Sequence, residues 1–179
     1  MKKLLMILPL VILLCITFSC QNQEAMAELE AMKAQAEVEE QNKIMIRQFY
    51  NALDGQDYEK IDAFISDDII LHYAGFPEPI KREGIIEFVR YYYTAFPDNT
   101  HNVEEFIAKG DKVIALVHQR ATHKGEYEGI PPTGIQVDYY ASDIWRVAEG
   151  KIVEAWVVED NLSLMMQLGM VLKPKEAEK

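Results

Sequence analysis

The chain has 179 residues, of which 29 are acidic and 18 are lysine or arginine, and its formal charge is −11 at pH 7. That balance argues against nucleic acid and anionic lipid headgroups as partners, since both carry the same sign of charge as the surface. The length suits one domain large enough to bury a core and a pocket.

The chain opens with Lys2 and Lys3, then an uncharged apolar run over residues 4–16, then polar residues from Gln21. A membrane-spanning helix needs about 20 apolar residues, so this shorter run, ending on small residues, reads as a secretory signal. Thr17-Phe18-Ser19-Cys20 resembles the lipobox of bacterial lipoproteins, with Thr17 where Leu is commonest. The resemblance implies that residues 1–19 are removed. Cys20 would then carry the lipid that anchors an exported protein to the membrane, on the periplasmic or cell-surface side. An ordinary signal peptide or an uncleaved anchor are the alternatives. With Cys15 lost in the signal and Cys20 acylated, the mature chain has no thiol for a disulfide, a metal or nucleophilic catalysis.

Residues 20–38 read as a helical or flexible polar spacer, with a weak apolar stripe at Met26, Leu29, Met32 and Ala36. A domain spans 39–172, and 173–179 form a charged tail. Ile46, Phe49, Tyr50 and Leu53 mark one face of a first helix, which Asp54-Gly55 stops. Asp57 caps a short second helix. Asp67-Asp68 turns the chain into a strand over 69–73, and a proline-rich loop follows. Ile85, Phe88, Val89, Tyr92 and Phe96 mark a third helix, closed by Pro97. Beyond residue 100 the apolar period falls from 3.6 to 2. Strands are predicted at 101–108, 112–123, 135–147 and 151–159, with hairpin turns at 109–111 and 148–150 and a long loop at 125–134. A closing helix covers 161–170. Helices first and strands afterwards predict an α+β fold, with a curved, mostly antiparallel sheet.

Several segments carry a family resemblance. They are Asn42-Lys43-x-x-x-Arg47-x-Phe49-Tyr50-Asn51-Ala52-Leu53, Phe96-Pro97-Asp98, Gly110-Asp111-Lys112-Val113, the run from Thr122-His123 through Gly125-Glu126-Tyr127 to Gly129-Ile130-Pro131-Pro132-Thr133-Gly134, Asp143-Ile144-x-Arg146-Val147, Gly150-Lys151-Ile152-Val153-Glu154-x-Trp156, Asp160 and Gln167-Leu168-Gly169. In this order and spacing, over about residues 39–170, the chain resembles the SnoaL-like polyketide cyclase and ester cyclase family, within the nuclear transport factor two-like superfamily. The resemblance implies a cone in which helices on the concave side of the sheet enclose a cavity, and it implies pairing through the outer sheet face. It also implies an acid–base aspartate late in the last strand, at Asp160, for intramolecular ring closure. The family's assisting histidine would fall near Trp145, which cannot exchange a proton at ordinary pH. Fold membership leaves the chemistry open.

Asp160 is therefore the candidate acid or base, with N-capping of the closing helix as the competing role. His123 shares a strand face with Val113, Ala115 and Val117 and is the second catalytic candidate, with a structural role for the 125–134 loop as the alternative. His72, Tyr92, Trp145 and Trp156 are candidate ligand-binding residues, against plain core packing. His101 and His118 read as surface residues, and Asp143 as structural. His72, His123 and Asp160 have no chelating spacing, so no metal is expected, and no cofactor motif is present. Two functions stay open: a cofactor-independent acid–base enzyme acting next to the carbonyl of a small apolar ligand, or a binding or scaffolding lipoprotein without chemistry. Ile114, Leu116 and Ile144, on the opposite face from the core stripe, point to a homodimer.

Overall fold

A computed structural model describes residues 2–173, with side chains from Gln23 onward. The side chain of Cys20 and those of the proposed signal lie outside the described residues, as does the tail from residue 174. The chain divides into two compact units, Met1–Val38 and Glu39–Lys179. In the first, residues 23–38 are helical and exposed, including Met26, Leu29 and Met32. No helix among the described residues is long and apolar enough to cross a membrane.

The second unit is α+β. Its elements are the end of α1 (Lys2–Asp54), α2 (Tyr58–Phe64), β1 (Ile65–Tyr73), β2 (Ile80–Lys81), α3 (Arg82–Ala95), β3 (Thr100–Lys109), β4 (Lys112–Thr122), β5 (Gln136–Ala148), β6 (Lys151–Glu159) and α4 (Asn161–Gln167). The six strands form one curved, unclosed sheet in the order β2-β1-β6-β5-β4-β3, antiparallel except where β1 pairs with β6.

Local chemistry accounts for most of the boundaries. Ile46, Phe49, Tyr50 and Leu53 are all buried, so the apolar face of α1 is the face that meets the core. Asp57 caps α2 by accepting from the Lys60 amide at 3.2 Å. The β5–β6 hairpin turns on Glu149 and Gly150, both at positive φ, a backbone that suits the two-residue hairpin turn. Gly125 has to be glycine for another reason: a Cβ there would sit 2.3 Å from the carbonyl oxygen of Thr94. That approach lets the Lys124 and Gly125 amides donate to Ala95 at 2.8 and 3.1 Å, tying the long loop to the end of α3.

One boundary departs from the sequence reading. β1 begins at Ile65, where a turn followed by a strand from residue 69 is predicted. Its register with β6 shifts between Ile65 and Ile70. The Arg82 guanidinium donates to the carbonyls of Ile65 and Ser66, both at 3.0 Å. It thereby satisfies polar groups that an irregular strand leaves open.

β4 alternates as its period demands. Val113, Ala115, Val117, Gln119 and Ala121 are buried on the helix-facing side, with His123 next on the same face. On β5 the matching row is Val137, Tyr139, Ala141, Asp143, Trp145 and Val147, all buried. Two polar residues in these apolar rows, Gln119 and Asp143, mark the site.

Candidate active site

The helix-facing side of the sheet, α1 and α3 line a part-open cavity of about 90 Å³. Its walls are largely apolar and aromatic, with Phe49, Phe88, Val89, Tyr92 and Trp145 among them. Its polar residues besides the tyrosines Tyr50, Tyr73, Tyr92 and Tyr93 are His101, Gln119, Asp143 and Glu159.

Asp143 sits at the α1 end. Tyr50 donates to its Oδ2 at 2.5 Å, and the Trp145 indole N–H donates to the Tyr50 hydroxyl at 3.0 Å. Trp145 thus consumes the acceptor side of the phenol and points its proton at the carboxyl. Oδ1 of Asp143 is buried without a hydrogen-bond partner. Burial pushes the Asp143 carboxyl up to about 7, the Tyr50 hydrogen bond opposes this, and the charge of Glu159 adds to the rise. With Oδ2 already accepting, the proton of the neutral acid belongs on Oδ1, where it has nothing in the protein to bond.

Glu159 is the second carboxyl group of the cavity. Tyr73 donates to its Oε2 at 2.6 Å and Gln119 to its Oε1 at 3.1 Å. Both of its oxygens are thus fixed by donors from β1 and β4. Gln119 is held in turn by donation from Asn99 at 3.1 Å and from Tyr139 at 3.3 Å. The hydroxyls of Tyr92 and Tyr139 bond to each other. Burial drives both phenols well above their ordinary range, so they remain neutral donors. Asp143 pairs with Val157 across β5 and β6, and Glu159 lies two residues further on. Such diagonal neighbours stand roughly 7–8 Å apart, so a small group fits between the two carboxyl groups.

The residues nominated from sequence do not share one site. Tyr92 and Trp145 line the cavity. Asp160 does not: it is exposed and accepts from the Ser163 amide at 2.9 Å as the N-cap of α4. His123 is buried against Phe96 outside the lining residues, and its Nδ1 lies 3.0 Å from the Thr133 hydroxyl and 3.3 Å from the Thr133 amide. The ring ties down the long loop. His72 and Trp156 lie on the opposite face of the sheet, stacked at 5.2 Å, with His72 bonded to Glu154 at 3.1 Å. The shared cavity of Asp160, His123, His72 and Trp156 is therefore corrected. The strand alternation places Ala155, Val157 and Glu159 inward, and Trp156, Val158 and Asp160 fall out of phase with them.

His101 and His118 are also not surface residues. His101 lines the cavity, with Nδ1 2.6 Å from Asp54 at the end of α1. His118 is covered on the outer face by Tyr140, stacked at 4.6 Å, and bonds Asp138. Among the described residues no cluster of three His, Cys, Asp or Glu could hold a metal ion.

A cone of helices on a curved sheet around a part-open apolar cavity with two acids defines a fold, not one reaction. The comparisons narrow it. The model of the SnoaL-like polyketide cyclase family matches residues 43–168, and the chain belongs to that family. Among solved structures it is similar to wild-type IdmH from Streptomyces antibioticus, named as a candidate polyketide cyclase. That match has 32% identity and a TM-score of 0.66, covering 73% of this chain and 99% of the other. It is also similar to AclR from Streptomyces galilaeus, named as a candidate hydroxylase, at 27% identity and a TM-score of 0.68, covering 73% and 97%. A SnoaL-like protein of Jannaschia shares the fold at 20% identity and a TM-score of 0.69, covering 75% and 95%. No curated protein matches the chain.

Proposed function

We propose that this chain is an exported, membrane-anchored lipoprotein of the SnoaL-like family. Its cavity binds a small apolar carbonyl compound and moves a proton at the carbon next to that carbonyl, in a cyclisation or isomerisation. The observation that carries the reading is the buried, unpartnered Oδ1 of Asp143 in an apolar cavity that also holds Glu159. Neutral Asp143 donates to the carbonyl oxygen as negative charge develops there, and the Tyr50–Trp145 chain positions it. Glu159 takes the proton from carbon, and its two donors limit its reorganisation. Both residues replace the Asp160 and His123 of the sequence reading. Exchange of solvent deuterium into the carbons flanking the carbonyl of an added ketone tests this without knowledge of the natural substrate. Exchange no faster than with buffer alone contradicts it.

A non-catalytic binding role is the second reading. It is favoured by the structural employment of Asp160, which the family resemblance nominates, and of His123, the second candidate from the strand pattern. That reading expects ketone binding without exchange.

The anchor rests on the apolar run before Cys20 and the polar switch after it. Cys20→Ala is expected to abolish incorporation of a fatty-acid analogue in metabolic labelling, and equal labelling of both forms contradicts the anchor. Self-association rests on the outer sheet face, where Ile114, Leu116, Tyr140 and Val158 are exposed together. Light scattering of the unlipidated protein at micromolar concentration should give the mass of a homodimer, and a monomer mass contradicts it.

A further inference from the structure

The inner cavity, at about 90 Å³, falls below the roughly 300–1,000 Å³ of ordinary small-molecule sites. A second hollow of about 390 Å³ opens beside it at the surface, lined by Phe76, Pro77, Tyr127, Asn161 and Met165 among others. The two hollows have Tyr73 and Phe88 as common walls. Phe76 stands against both, edge-on to Tyr73 at 5.4 Å and to Phe88 at 5.9 Å, and is itself half exposed. It rides on a short segment after β1, between Gly75 at φ +99 and Pro77, at the boundary of the two hollows. Tyr73 also links the two spaces chemically, since its hydroxyl is bound to Glu159.

Among the described residues no lysine or arginine lines either hollow, while Glu159 faces the inner one and Glu128 the outer. An anionic ligand would bring its charge against apolar walls and these carboxyl groups, and His101, the basic side chain in the inner lining, is already paired with Asp54. We infer that the two hollows form one bipartite site for an elongated, uncharged ligand. A carbonyl head occupies the inner cavity, and an apolar tail passes Phe76 to lie along the outer hollow against Pro77, Tyr127 and Met165. The inference rests on the carbonyl reading of the inner cavity and extends it to the length and charge of the ligand.

The test is a titration of full-length protein in lipid nanodiscs with 2-alkanones from butan-2-one to decan-2-one. Tryptophan fluorescence is the readout, because Trp145 lines the inner cavity, and empty nanodiscs correct for partition. Affinity should keep rising with chain length, by up to roughly fourfold per buried methylene. Met165→Glu, which places a charge in the outer hollow, should cost decan-2-one at least tenfold and leave butan-2-one unchanged. Decanoate should bind at least tenfold more weakly than decan-2-one. Affinity that levels off at the shortest ketones overturns the bipartite site. So does equal loss of short and long ketones in Met165→Glu, unaltered decan-2-one affinity in that variant, or decanoate binding as tight as decan-2-one. Absence of binding by every ketone instead overturns the carbonyl reading of the inner cavity.

Discussion

Glu159→Gln is expected to slow deuterium exchange into a bound ketone by about 10²–10⁴-fold, the usual cost of losing a general base. Gln keeps the length of the side chain, and its carbonyl oxygen can still accept from Tyr73 or Gln119. The amide has no lone pair basic enough to take a proton from carbon. Ketone affinity should therefore change little while the exchange rate collapses. Gln119→Leu removes one donor to Glu159 and should lower the rate less, because Tyr73 still holds the other oxygen. A Glu159→Gln protein with undiminished exchange would remove Glu159 from the chemistry. One that no longer binds ketone would assign it to binding alone.

Asp143→Asn should make the protein more stable than wild type above neutrality and should flatten its stability against pH. In an unfolded chain an Asp titrates near 3.9, whereas burial raises folded Asp143 to about 7. Between those values the folded protein keeps a proton that the unfolded chain has lost. The stabilising contribution is thus fully present below about pH 4 and is lost as pH rises through about 7. At about 1.4 kcal/mol per pKa unit, the loss across that window is on the order of 4 kcal/mol. Asparagine carries no charge at any of these pH values, and its oxygen can still accept from Tyr50. Melting temperatures should show the variant ahead of wild type at pH 8, with the gap closing or reversing at pH 5. A constant gap across this range would mean that Asp143 is not held neutral by the fold. Deuterium exchange should fall in the same variant, since an amide N–H stabilises a developing oxyanion less well than an acid positioned beside it.

The sequence made the fold visible wherever a single period controlled a long element. The face of α1, the alternation of β4 and β5 and the turn at Gly150 were all readable, because each repeats one rule over many residues. β1 was readable only from residue 69, because its first residues depend on Arg82 reaching back from α3, a contact with no local signature. The site was harder. Asp143 stands in an apolar row of β5, and that interruption was the available signal. Nothing near it in the chain announces Tyr50, 93 residues earlier, as its donor. Asp160 is nominated by the family resemblance, and an inward Trp156, a large aromatic, would put Asp160 inward with it and Glu159 outward. In the structure that indole is stacked on His72 outside the cavity, so the parity inferred from it was one residue out. His101 was misread for a comparable reason: Asp54, its partner, lies on a different element.

The proposed chemistry needs a carboxyl group kept neutral inside an apolar cavity, and a direct titration of Asp143 tests it. With aspartate labelled at the carboxyl carbon and Asp143→Asn used for assignment, the chemical shift of that carbon can be followed from pH 3 to pH 9. The account expects a midpoint at about 7 that moves upward when a ketone occupies the cavity, because a carbonyl acceptor on Oδ1 favours the protonated form. A midpoint near the ordinary 3.9 of an exposed aspartate, unmoved by ketone, would contradict it.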